Sequence, residues 1–157
     1  MYQRKKINKW LVGIFGFVTA TAIFLLFVLL YTHQFENQLL AYARSLANLP
    51  EVEEVLAVSE FTGSKRYIVA RVRLIGGEEH MYFVHDDVVA TQIPVTELIE
   101  VESVMMEVFG TTDIVRYSLG RHGGDIVYEL VANTPEGVNY VVANALSGQV
   151  VMSFILE

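Results

Sequence analysis

Between Trp10 and Tyr31 the chain runs for 22 residues without a charge, WLVGIFGFVTATAIFLLFVLLY. No other stretch limits the fold so sharply. A hydrocarbon core about 30 Å thick takes about 20 helical residues to cross. Fourteen of the 22 are Leu, Ile, Val or Phe, and together they favour insertion by about −4 to −8 kcal/mol. Gly13, Gly16, Thr19 and Thr21 oppose insertion mildly, and a helix tolerates them because it satisfies its own backbone. Trp10 and Tyr31 close the run at its two ends, where amphipathic rings prefer the headgroup level. The run predicts a single transmembrane helix over residues 10–31.

Charge sets the expected sidedness. Arg4, Lys5, Lys6 and Lys9 precede the helix with no acid among residues 1–9. Of 11 basic residues, 11 − 4 = 7 follow it, together with all 18 acids, a net of −11. Positive flanks stay cytoplasmic, so residues 1–9 form a cytoplasmic basic tail and residues 32–157 are expected outside the cell membrane. The four basic residues suit anionic lipid heads. A cleaved signal peptide would carry an apolar segment of about 7–15 residues and a nearby cut site. Here the small-x-small triplet Ala41-Tyr42-Ala43 lies ten residues past the run, which favours a retained anchor.

The exported part has no cysteine, so thiol chemistry is excluded and the domain must be held by its core. Its acidity argues against nucleic-acid partners, which need a basic face. Phe35, Leu39, Tyr42, Leu46 and Leu49 are spaced as one helical seam that should stop before Pro50. The seam suits packing on its own domain better than a coiled coil, for which two heptads are too few. Strand-like runs follow at Val55–Phe61, Arg66–Leu74, His80–Val84 and Val88–Ile93, with turns at Gly63-Ser64-Lys65 and Gly76-Gly77-Glu78. Alternation in the second run predicts Ile68, Ala70, Val72 and Leu74 inward, and Tyr67, Val69, Arg71 and Arg73 on a solvent face.

The plan then repeats. A helix is expected through Leu98, Val101, Met105 and Val108, capped by Thr96, favoured by Glu97 and Glu100, and closed by Gly110. Strands follow at Ile114–Leu119, Asp125–Val131, Val138–Asn144 and Gln149–Ile155. The turns between them fall at Arg121–Gly124, Thr134–Gly137 and Leu146-Ser147-Gly148. Gly63 to Gly77 and Gly123 to Gly137 both span fourteen residues, offset by sixty. Helix and antiparallel strands, used twice, give an α+β class with domains at 32–94 and 95–157. Val88–Ile93 and Gln149–Ile155 end their units and are candidate sheet edges.

Candidate chemistry is sparse. His80, His85, Asp86 and Asp87 invite a metal reading, but strand residues five apart point to opposite faces. His122 reads as an exposed turn residue, and His33 sits beside the anchor. The chain lacks G-x-S-x-G, H-E-x-x-H, S-x-x-K, K-T-G and a phosphate-cradling glycine loop. The acids Glu51, Glu53, Glu54, Glu97, Glu100, Glu102 and Glu107 read as solvated faces. Gly16 and Ala20 form a small-xxx-small pair within the membrane helix. The expectation is a protein that is not an enzyme, with no cofactor and no metal.

The stretches SEFTGSKRYIVA, EEHMYFVHD and GGDIVYELVANTPEGVNYVVANALSGQVV resemble the TseB-like (YpmB) family of Gram-positive bacteria. The last also resembles the wider PepSY pattern through Tyr128-Glu129-Leu130, Val141–Ala145 and Ser147-Gly148. The chain departs from that pattern at Asn144, where Asp is common, and at Tyr82-Phe83-Val84 and Tyr128, where tryptophan is common. The resemblance implies two tandem PepSY-like, cystatin-type domains behind one membrane anchor. It further implies a regulator of cell-wall elongation that contacts a monofunctional penicillin-binding transpeptidase. A second reading is a membrane-tethered modulator of a surface peptidase. With the sidedness above, protease added to intact cells is expected to degrade residues 32–157, as read by immunoblot; full protection would reverse the topology.

Overall fold

The computed structural model describes residues 9–111, 115–135 and 137–156. Arg4, Lys5, Lys6, the side chain of Lys9, the strand start expected at Ile114 and the turn residue Glu136 lie outside the described residues. The chain divides into a unit ending at Gln38 and one beginning at Leu39.

In the first unit, helix α1 (Lys9–Ala47) begins. Its apolar side chains are exposed from Gly13 to Tyr31. The polar groups of that stretch are turned back on the helix: Thr19 Oγ1 donates to the Phe15 carbonyl at 2.8 Å and Thr21 Oγ1 to that of Phe17 at 3.0 Å. A span lined this way presents hydrocarbon and no unpaired backbone group. The helix is long and apolar enough to cross a membrane, with a mean hydropathy of 2.5 over its best window.

The second unit holds the last turns of α1 and two four-stranded antiparallel sheets. Strands β1 (Val52–Thr62), β2 (Arg66–Leu74), β3 (Glu79–His85) and β4 (Val88–Pro94) form one sheet in sequence order. A short 3-10 turn (Val95–Glu97) and helix α2 (Val101–Phe109) lead to the second, β5 (Arg116–His122), β6 (Asp125–Thr134), β7 (Gly137–Asn144) and β8 (Val150–Leu156), also in sequence order. Val88–Ile93 and Gln149–Ile155 therefore fall on outer strands, as their positions suggested. The hairpin between β3 and β4 turns on Asp86 and Asp87, both left-handed with φ 49° and 61°, as a two-residue turn of matching twist requires.

Thr96 does not cap α2. It sits in the 3-10 turn, Leu98 is extended, and the helix starts after Glu100 without a side-chain cap. Gly110 closes it in the left-handed conformation, its N–H bonded to the Met106 carbonyl. The buried helix face is Val101, Val104 and Met105.

Packing corrects one sequence expectation. The inward face of the first sheet, with Ile68, Ala70, Val72, Tyr82 and Val84, buries against Leu46, with Leu39, Tyr42 and Leu49 alongside. The opposite face is not all solvent. Tyr67 and Val69 are buried there with Phe61 and Phe83, in one cluster with α2 and the second sheet. Only the far end follows the solvent reading. There Arg71 pairs with Glu79 (Nε to Oε2, 2.7 Å), and Arg73 pairs with Glu54 at 2.6 Å. Alternation reported which residues share a face; it could not report that a second sheet covers half of it.

The join is made by Phe61, 1% exposed. Its ring occupies the space where a Cβ on Gly120 would stand, and a Cβ on Gly63 would lie 2.6 Å from its Cε1. Gly120 pairs with Val127, which is fully buried on the same face. Phe61→Ala is expected to lower unfolding free energy by about 3–5 kcal/mol, read by chemical denaturation of the detergent-solubilised chain.

Candidate protein-recognition site

The contact of Phe61 with Gly120 fixes one end of a recess between the first sheet and β5. The other end is fixed by the extended Leu98–Glu100 segment. Ile99 is held on both sides of its peptide: its N–H donates to the Ala145 carbonyl at 2.9 Å and its carbonyl accepts from Tyr128 Oη at 2.9 Å. Between these ends lies a recess of about 750 Å³, within the range of pockets that bury a ligand. Its floor includes Phe61, Val69, Met81, Leu98, Val101 and Leu119, and its rim Ser59, Glu60, Arg71, Glu100, Arg116, Ser118 and Glu129.

Most rim charges are already engaged. Glu60 accepts from two of the Arg66 nitrogens, Nε at 2.8 Å and Nη2 at 3.0 Å. Arg71 holds Glu79, and that hydrogen bond is the main cause that draws the Glu79 carboxyl below its ordinary value. Ser118 Oγ stands 3.5 Å from Glu129 Oε2, and Ser59 Oγ 3.4 Å from the Val69 carbonyl. Among the described residues no imidazole lines the recess. Two of its walls, β1 and β5, are outer strands, so each has a main-chain edge free of a sheet neighbour. Apolar floor, polar rim and strand edges together suit an extended peptide, held by main-chain bonds and selected by side-chain pockets.

Arg121 ties the two sheets beside this site. Its Nη1 donates to Thr91 Oγ1 of β4 at 2.8 Å, its Nη2 to the Gly124 carbonyl at 2.8 Å, and its guanidinium lies 5.7 Å from the Tyr67 ring centre. Nothing in the local residue pattern singles out Arg121. Gly120 did carry a readable signal, since an isolated glycine inside a strand marks a close approach of another group.

The residues marked from sequence do not converge. Trp10 and Tyr31, both well exposed, stand 21 residues apart on α1, about 32 Å along a helix, a match to the hydrocarbon thickness. His80 and His85 fall on opposite faces of β3. His85 Nδ1 lies 2.9 Å from the Arg66 carbonyl, and its ring is 5.0 Å from that of Tyr67. Neither His80 nitrogen makes a hydrogen bond, and the Glu78 carboxylate is 3.6 Å from its Nε2. Asp87 instead accepts the Tyr42 hydroxyl at 2.9 Å, fastening the end of α1 to the hairpin. Among the described residues no three metal-ligating side chains gather. His122 is half-buried within β5 rather than exposed in a turn. Asn144, where the PepSY pattern favours Asp, is a turn builder: its Oδ1 accepts the N–H groups of Leu146 (2.9 Å) and Ser147 (3.0 Å).

No family model matches the chain, and no curated protein matches it. Its fold is similar to a solved structure, the YpmB protein from Bacillus subtilis, with a TM-score of 0.61 and 16% sequence identity. The match covers 74% of this chain and 95% of that one.

Burial pushes the Tyr128 phenol up to about 12, with the charges of Tyr117 and Glu102 adding to it. Burial and the hydrogen bond its hydroxyl donates to the Glu129 carboxylate push Tyr140 up as well. A phenol whose folded pKa is raised keeps its full stabilising contribution below its ordinary value of 10 and loses it as pH rises through 12. Stability is therefore expected to fall between pH 10 and 12, and Tyr128→Phe to lessen that fall while costing about 1 kcal/mol at neutral pH for the lost bond to Ile99. Denaturant titrations at several pH values check both.

Proposed function

We propose that this chain is a non-enzymatic, membrane-anchored adaptor of the cell surface. In this reading it regulates cell-wall elongation by binding a monofunctional penicillin-binding transpeptidase. One observation carries the reading, namely the recess walled by the two outer strands β1 and β5. A site of that form takes an extended segment of another protein. The apolar helix supports the reading by confining the chain to the plane in which a membrane-bound synthase moves, which raises effective concentration without new contacts. The fold similarity to YpmB supports the architecture, and the sequence resemblance supplies the TseB-like, PepSY-like family and the class of partner. On this view the N-terminus is cytoplasmic and residues 32–157 face the cell wall.

Ala57 is exposed on β1 and lines the recess, so it can be enlarged without disturbing the core. Ala57→Trp is expected to weaken capture of the transpeptidase from solubilised membranes by at least about tenfold, the loss of roughly 1.4 kcal/mol, with an unchanged melting temperature. Undiminished capture would remove the recess from the interface, and absence of transpeptidase from the wild-type capture would remove the partner. Slowing of a surface peptidase by the wild-type chain would favour the modulator reading instead.

A further inference from the structure

The two sheets have four outer strands, β1, β4, β5 and β8, and three of them are already accounted for. β1 and β5 wall the recess that the proposed partner segment enters, and β4 ends at Pro94 and has Thr91 occupied by Arg121. Prolines and covering contacts such as those of β4 keep a sheet edge from pairing with other chains. β8, VVMSFIL, has no charge and no proline, and all seven of its residues are exposed. Phe154 is 41% exposed although its ring stacks on Tyr140 at 4.7 Å, and Leu156 is 56% exposed.

We infer that β8 pairs antiparallel with β8 of a second copy, about a two-fold axis at Ser153, so that two sheets become one of eight strands. Ser153 is the centre of the seven-residue strand and its sole polar side chain. With Ser153 opposite Ser153, Met152 faces Phe154 on either side of the axis, within the stretch Met152–Leu156 that pairs regularly with β7; Val151 is the extra residue of a bulge opposite Val142 and Ala143. Both flanking pairs are apolar, the kind of cross-strand pair that stabilises a sheet, and the Ser153 hydroxyl is already held within its own sheet by Asn139 Oδ1 at 3.5 Å. The chain is acidic, 11 − 18 = −7, yet this contact places no like charges opposite one another. Pairing β1 with itself would bring its glutamates across the join. A lipid surface is a poor occupant, because open sheet edges do not enter hydrocarbon. The patch is on the order of a few hundred Å², and two copies bury less than the roughly 1,200 Å² of stable soluble complexes. Pairing is therefore weak in dilute detergent and populated where anchors confine both copies to one membrane.

The chain has no cysteine, so Ser153→Cys creates a sole thiol. In the full chain in proteoliposomes, mild oxidation is expected to give at least about tenfold more disulfide dimer than the exposed turn variant Lys65→Cys, because directly opposed strand residues fall within disulfide reach. Ile155→Cys alone should stay monomeric, its like positions being about 13 Å apart along the strand. Adding Phe154→Lys to Ser153→Cys should abolish the dimer with the melting temperature retained. Equal yields at 153, 155 and 65 would mean collision and overturn the inference. So would a monomeric Ser153→Cys chain whose thiol is shielded from a water-soluble maleimide, which would mean lipid. None of these variants touches the recess, so the outcome is separate from that of Ala57→Trp.

Discussion

The two-sheet fold depends on an aromatic ring set against a strand that has no side chain at that point. Phe61 lies where any Cβ on Gly120 would be, and through it the first sheet gains a second buried face. A four-stranded sheet with one helix over one face buries little on its own. Two such sheets with an internal join share a cluster that runs from Tyr67 and Phe83 through α2 to Val127, Val141 and Val142. With no disulfide to assist, that shared burial is the main source of cohesion.

The same join creates the recess. Phe61 and Gly120 bring β1 and β5 together at one end, and the Ile99 peptide, bonded to Ala145 and Tyr128, holds the 3-10 turn and α2 at the other. The space between cannot close without breaking one of these, so the site follows from how the halves are fastened. Arg121 adds a polar fastening from β5 to Thr91 and Tyr67. These contacts bind one half to the other through few side chains, which is why single substitutions at the join should reach further than their own volume suggests.

The two halves share a plan and differ at their outer strands. Each is a helix followed by a four-strand meander, and the glycine spacing that repeats at sixty residues marks corresponding turns. Yet β4 ends in Pro94 and carries a contact from Arg121, while β8 has neither. A repeated architecture thus yields one closed margin and one open one. The open margin is apolar on both faces, which costs solubility unless another strand covers it.

The sequence by itself determined the long apolar helix, the strand and turn order, the α+β class and the inward face of the first sheet. Each is a local matter of composition or period: an uncharged run of 22 residues, a spacing of four and three through Leu39, Tyr42, Leu46 and Leu49, alternation along Ile68–Leu74, glycines at turns. Tertiary structure alone decided that Tyr67 and Val69 are buried, that Thr96 caps nothing, and that β1 and β5 wall a recess. It also decided that Asp87 serves Tyr42 rather than a metal. Those outcomes turn on which surfaces meet across long separations, and periodicity records which side chains share a face without recording what covers that face.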